Sequence, residues 1–177
     1  MPEQPSKALA FLIEKVMENG TAPDSETVLL VAKTIGDIFD VDPDEVAVLS
    51  LAPKTKSLKF VMPEKLSIVG TIPLSSTSTL AARTARERRP EIANNFTAAR
   101  HATVFEGVPL GRDPSELIQK IMSAPILDGT TVRGVIQISR KGRTATEAGA
   151  DFTQKDLTAL KQVAVQMEKL LKLFNVA

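Results

Sequence analysis

Apolar residues recur at intervals of three and four near both ends of the chain and with strand-like spacing between them. From residue 6 to 19, Leu9, Leu12, Ile13, Val16 and Met17 form a stripe that Asn19-Gly20 ends, which predicts an amphipathic helix. A second helix can be capped by Asp24 or Ser25 and carries Val28, Leu29, Ala32, Ile35, Ile38 and Phe39 before Pro43 breaks the segment. A third starts after Thr153 and bears Leu157, Leu160, Val163, Ala164, Met167, Leu170, Leu171 and Phe174. Thr153 and Asp156 stand at capping-box spacing, with Asp in place of Glu or Gln.

Between the helices the period shortens. Val46 to Leu51 is an apolar run of strand length, Pro53-Lys54-Thr55-Lys56 is turn-like, and Leu58, Phe60 and Met62 then alternate, which predicts a hairpin. Another follows from Ser123-Ala124-Pro125-Ile126-Leu127 through Asp128-Gly129, a pair suited to positive φ, into Val132 to Ser139. Val132, Ile136 and Ile138 alternate with Arg133, Gln137 and Ser139, giving one dry and one wet face. Gly134 interrupts the dry face, as a bulge or a closely packed neighbour requires, or as the approach of a ligand would. The polar cluster Ser75-Ser76-Thr77-Ser78-Thr79 opens a short helix to about Arg89, which Pro90 stops. Residues 92 to 111 read as irregular, anchored by Val104 and Phe105, and Asp113-Pro114-Ser115 introduces a helical turn over Glu116 to Lys120.

Composition narrows the function. The 177 residues fit one domain with a helical extension, divided as 1–22 for the N-terminal helix and 23–177 for the remainder. Lys plus Arg total 22 against 21 Asp plus Glu, so there is no global drive toward nucleic acid or an anionic membrane, and neither is expected as a partner. No apolar run is long enough to span a bilayer and residues 1 to 5 lack a signal-peptide pattern, so a cytoplasmic location is expected. The absence of Cys excludes disulfides, zinc-thiolate sites and thiol nucleophiles, and one histidine cannot form a histidine metal cluster. No phosphate loop and no nucleophile elbow occur. A non-enzymatic protein without metal or cofactor is expected.

The stretches Gly134-Val135-Ile136-Gln137-Ile138 and Phe152-Thr153-Gln154-Lys155-Asp156-Leu157 resemble the G-V-L-x-L strand and the F-T-x-x-D-L helix opening of GAF domains. Ser123 to Gly129 resembles the family's S-x-x-x-P-[LI]-x-x-x-G hairpin in compressed form, and Glu87-Arg88-Arg89-Pro90-Glu91-Ile92 loosely resembles its T-G-E-P-x-x-I stretch. The resemblance covers roughly residues 24 to 172. It implies an α+β fold, similar to profilin and PAS domains: a central antiparallel sheet with the terminal helices on one face and a helix and loop crossover on the other. It also implies a small-molecule-sensing regulatory domain of a signalling or transcription-control system. The chain lacks the N-K…F-x-x-x-D-E signature of cyclic-nucleotide-binding members. Without Cys it departs from the methionine-sulfoxide-reducing members and from covalent bilin binders.

In such a fold a ligand lies between sheet and crossover, which selects residues 76 to 110. Arg100 and His101 beside Asn94 and Asn95 offer a cation, a titratable ring and two amides for a small polar or anionic ligand, and the alternative is a solvated loop. Thr77 and Ser123 add hydroxyls, and Phe60, Phe96 or Phe105 would supply any stacking surface. Arg83, Arg86, Arg88 and Arg89 are interleaved with Glu87 and Glu91 and read as a salt-bridged face. Arg140-Lys141-Gly142-Arg143 reads as a solvated loop. Leu12, Val16, Leu170, Leu171 and Phe174 on the terminal helices form the expected homodimer surface. Two readings result: a ligand sensor acting through dimer or signalling-partner contacts, and a ligand-free dimerisation or protein-interaction module on the same scaffold.

Overall fold

The computed structural model describes residues 3–68, 70–96 and 115–174. Two helices, α1 (Glu3–Asn19) and α2 (Ser25–Phe39), precede β1 (Val46–Ala52), β2 (Ser57–Met62) and β3 (Thr71–Pro73). Helix α3 (Leu80–Glu87) leads to β4 (Glu91–Ala93), then β5 (Leu117–Asp128), β6 (Thr131–Gly142), the single turn α4 (Ala145–Ala148) and α5 (Gln154–Leu171). The strands form one sheet in the order β3-β2-β1-β6-β5-β4, with every neighbouring pair antiparallel.

Both faces of this sheet are covered, which is why its central strands read as nearly continuous apolar runs. On one face α1, α2 and α5 bury Leu9, Ile13, Val28, Ile35, Leu160 and Met167 against Val46, Met122, Ile136 and Ile138. On the other, Ala81, Ala82 and Ala85 of α3 lie over Leu49, Leu58, Phe60 and Val135, and Leu80 packs with Phe96 and Ile121. The alanines let α3 sit close to the strands. The capping signals also hold: Asp24 accepts the Thr27 backbone N–H at 2.9 Å, and Thr153 and Asp156 exchange bonds at the start of α5.

The structure alters four sequence expectations. Glu116 to Lys120 is not a helical turn, because β5 already runs from Leu117, where it pairs with Gly142. Long-range pairing with β6 overrides the local turn signal of Asp113-Pro114-Ser115. Residues 140–142 are likewise not a solvated loop but the last part of β6. In the β5–β6 turn Gly129 takes a φ of 63°, whereas Asp128 remains in the strand paired with Thr131. The register slips between Ile126↔Gly134 and Leu127↔Val132, leaving Arg133 as an extra residue. This bulge places Val132 with Val135 on the α3 side, while Ile136 and Ile138 face the other helices. The single dry face predicted for Val132, Ile136 and Ile138 is therefore split.

Gly134 owes its place to packing. A Cβ there would lie 2.1 Å from the Leu49 carbonyl oxygen and 2.9 Å from a Leu171 methyl. No side chain fits between β6, β1 and α5.

Candidate functional site

On the α3 side, a chain of polar groups runs through an otherwise apolar layer. Thr84 donates its hydroxyl proton to the Leu80 carbonyl, the i−4 bond that a helical threonine commonly makes, at 2.9 Å. Its oxygen lies 2.7 Å from that of Ser123, which is fully buried, so Ser123 donates to Thr84. The Gln137 amide donates to Ser123 at 3.2 Å. Both hydroxyl protons in this relay have acceptors, as buried polar groups require. Ser123, expected as a ligand contact, thus has its hydroxyl engaged by α3 and β6.

A second constellation joins the end of β4 to the start of α5. The Asn94 side chain accepts the Phe152 backbone N–H at 2.9 Å and donates to the Phe152 carbonyl at 3.1 Å, so one amide satisfies both main-chain groups of a single residue. The Arg140 guanidinium stacks over the Phe152 ring at 4.4 Å and donates to the Phe39 carbonyl at 2.9 Å and to the Ala150 carbonyl. Lys120 is buried, pairs with Asp151 at 2.9 Å and donates to the Gly149 carbonyl at 2.5 Å. Three side chains from three adjacent strand ends therefore hold residues 149–152, the segment that feeds α5. Asn94 also stands just ahead of residues 97–114, which link β4 to β5.

The remaining sequence candidates scatter. Arg100, His101 and Phe105 lie outside the described residues. Thr77 and Asn95 are exposed, whereas Phe60 and Phe96 are buried in the two clusters beside α3. The α3 arginines are engaged within the chain. Arg83 makes a bidentate pair with Glu91, Arg86 donates to the Leu74 and Ser76 carbonyls, Arg88 to the Thr130 carbonyl, and Arg89 pairs with Glu87. Val16, Leu170 and Leu171 do not form an outer surface: they are buried in the core between the helices and the sheet, with Leu12 and Phe174 packed against it. Helix α1 packs against α5 and helps to enclose them.

Among the described residues, Asp42, Asp44 and Glu45 have the spacing of a metal-binding group. One Glu45 oxygen accepts the Asp42 N–H at 2.9 Å and the other accepts the Lys141 N–H at 2.6 Å. That carboxylate locks the entry to β1 onto β6. Sequence reasoning missed Thr84, Gln137, Lys120 and Arg140 because each is a polar residue whose burial depends on distant strands. The only available hint was Thr84 among the alanines of α3.

The family model of the GAF domain matches residues 25–171. No curated protein matches the chain in sequence. Among solved structures, the GAF domain of an Acinetobacter phosphoenolpyruvate-protein phosphotransferase superposes with a TM-score of 0.68 at 13% identity, covering 97% of this chain and 93% of the other. The GAF domain of A. aeolicus nlh2 in an inactive state gives 0.63 at 13% identity, covering 98% and 99%. A type II free methionine-R-sulfoxide reductase from Thermoplasma acidophilum gives 0.56 at 16%, covering 86% and 97%. At these identities the neighbours speak for the fold alone, a scaffold that the two GAF domains and the reductase share. The match across most of the chain and the six-stranded sheet layered between helices agree: the chain belongs to the GAF domain family.

Proposed function

We propose that this GAF domain is a non-enzymatic, cytoplasmic regulatory domain whose occupant is a small polar or anionic molecule held on the α3 side of the sheet and whose response passes to α5. The Asn94 clasp carries this reading. It ties the chain immediately before residues 97–114, where Arg100 and His101 supply the charge for an anion, to the residue that leads into α5. A ligand that changes the geometry at Asn94 changes the hold on Phe152, and on this reading regulation requires the contact to have two arrangements that the ligand binds unequally. The chain has no Cys, which removes the thiol chemistry a redox enzyme on this scaffold would use. The occurrence of a similar fold in a methyl-accepting chemotaxis protein supports the regulatory reading.

A thermal-shift screen against nucleotides, cyclic nucleotides, amino acids and small carboxylates tests the proposal, because a ligand that binds only the folded state raises Tm by mass action. The expected result is a saturable rise that is lost in the Arg100→Ala/His101→Ala double variant. In Asn94→Ala, binding should persist while ligand-dependent amide protection at the start of α5 disappears. A rise that survives the double variant would overturn the site.

The second reading, an interaction module without a ligand, draws on how fully Leu49, Leu58, Phe60 and Val135 already fill the sheet face beneath α3. It predicts no shift from any compound in the screen.

A further inference from the structure

Charge is balanced over the whole chain, at 22 Lys and Arg against 21 Asp and Glu, but not on α5. The helix turns Leu157, Leu160, Val163, Met167 and Leu170 into the core, and its exposed positions from Gln154 to Lys172 fall within an arc about 120° wide. That arc carries Lys155, Lys161, Lys169 and Lys172 and no acidic residue. Val165, 67% exposed, lies near its middle, with Lys161 four residues before it and Lys169 four residues after. Around the helix, Lys161 and Lys172 fall to one side of Val165 and Lys155 and Lys169 to the other. The stripe runs about 26 Å along the axis.

The stability of α5 does not account for this pattern. A solvated helix face gains from acids and bases three or four residues apart. Within α5, Lys155, Lys161 and Lys169 have no acid at either spacing, and none of them makes an ion pair among the described residues. Lys172 pairs with Glu168 at 3.2 Å. The helix dipole favours Lys169 and Lys172 at the C-terminal end, but Lys155 stands in the first turn, where the dipole opposes a cation. By contrast, Arg83, Arg86, Arg88 and Arg89 around α3 all find partners within the chain.

We infer that the outer face of α5 docks an acidic helix of another protein. Charge complementarity makes the partner acidic, and Val165 makes it a polypeptide. An apolar centre rimmed by charge is the anatomy of a protein–protein contact. A nucleic-acid surface is dominated instead by cations paired with phosphates, and a membrane-binding helix needs an apolar side free to insert, which α5 has already buried in the core. A straight, narrow stripe is matched by carboxylates along one face of a second helix. The surface uses no residue of the α3 side, so the inference stands whether or not a ligand binds there.

Fluorescence anisotropy tests it, with the purified chain titrated into a labelled synthetic helix that bears a row of glutamates about one leucine. Saturable binding is expected at low ionic strength, weakening as salt screens the charges. The double reversal Lys161→Glu/Lys169→Glu should weaken binding about tenfold and leave the circular dichroism spectrum unchanged. The same variant should gain binding to a helix carrying lysines in place of the glutamates. Val165→Ser should weaken binding and leave its salt dependence as it was. No saturable binding, binding indifferent to the double reversal, or tighter binding of a DNA duplex or of phosphatidylserine vesicles would overturn the inference.

Discussion

Asp24 shows how one surface residue sets a boundary. Hydrogen bonding to the side chain of Thr27, followed by the bond from its backbone N–H, holds the Asp24 carboxyl below the ordinary carboxylate value. Because its folded value is the lower one, the ionised cap favours folding above the unfolded value and that contribution is lost as pH falls through the folded value. Asp24→Asn keeps an acceptor but removes the charge. Denaturant midpoints taken across the acid range should therefore fall less steeply for this variant than for the unaltered chain. Gly134 is constrained from the opposite direction. Gly134→Ala forces a methyl group against the Leu49 carbonyl, and overpacking of this kind should cost about 1–3 kcal/mol in urea unfolding. Its place in an alternating strand already suggested close packing in the sequence. The neighbours responsible became visible only when β1 and α5 were brought beside it.

Elements were legible in proportion to their length and period. The 17, 15 and 18 residues of α1, α2 and α5 carry enough turns for their apolar stripes to stand out, whereas β3 and β4 span three residues each and present no period at all. The first part of β5 has no local strand signal because pairing to residues 141–142, not local preference, holds it. The same distance in sequence hid Arg140, whose charge suggested solvent but whose guanidinium lies on the Phe152 ring. The candidate site was legible only as residue types: Asn94 could be named as an amide, but not as the partner of Phe152. At this scale the Asn94 clasp makes a clear prediction. Asn94→Ala leaves the Phe152 N–H and carbonyl without their partner, a loss of about 1–3 kcal/mol. Hydrogen exchange should accelerate at Phe152 and through the first turn of α5, with the centre of β6 unaffected. Uniform acceleration over the whole chain would show a general loss of stability and refute a local clasp.

Across the molecule, the helical layer and the sheet form one body, and the end of α5 belongs to its interior. Leu170 is fully buried, so Leu170→Ala should lower unfolding stability by about 2–5 kcal/mol and leave the association state of the folded protein unchanged. Sedimentation of the folded variant beside its denaturation curve separates those two effects. The sheet order carries a further consequence. Strands β1 to β3 form neighbouring pairs, as do β4 to β6, and among the described strands the two halves pair only where Val46–Ser50 lies along Gly134–Ile138. Those partners lie far apart in sequence, and closing so long a loop is slow compared with forming a hairpin. During synthesis the inner edge of β1, with Val46, Val48 and Leu49, emerges well before β6 exists to cover it. The apolar seam that completes the native sheet therefore stays unprotected until β6 is made, and in the nascent chain it is an open template on which the wrong strand can add.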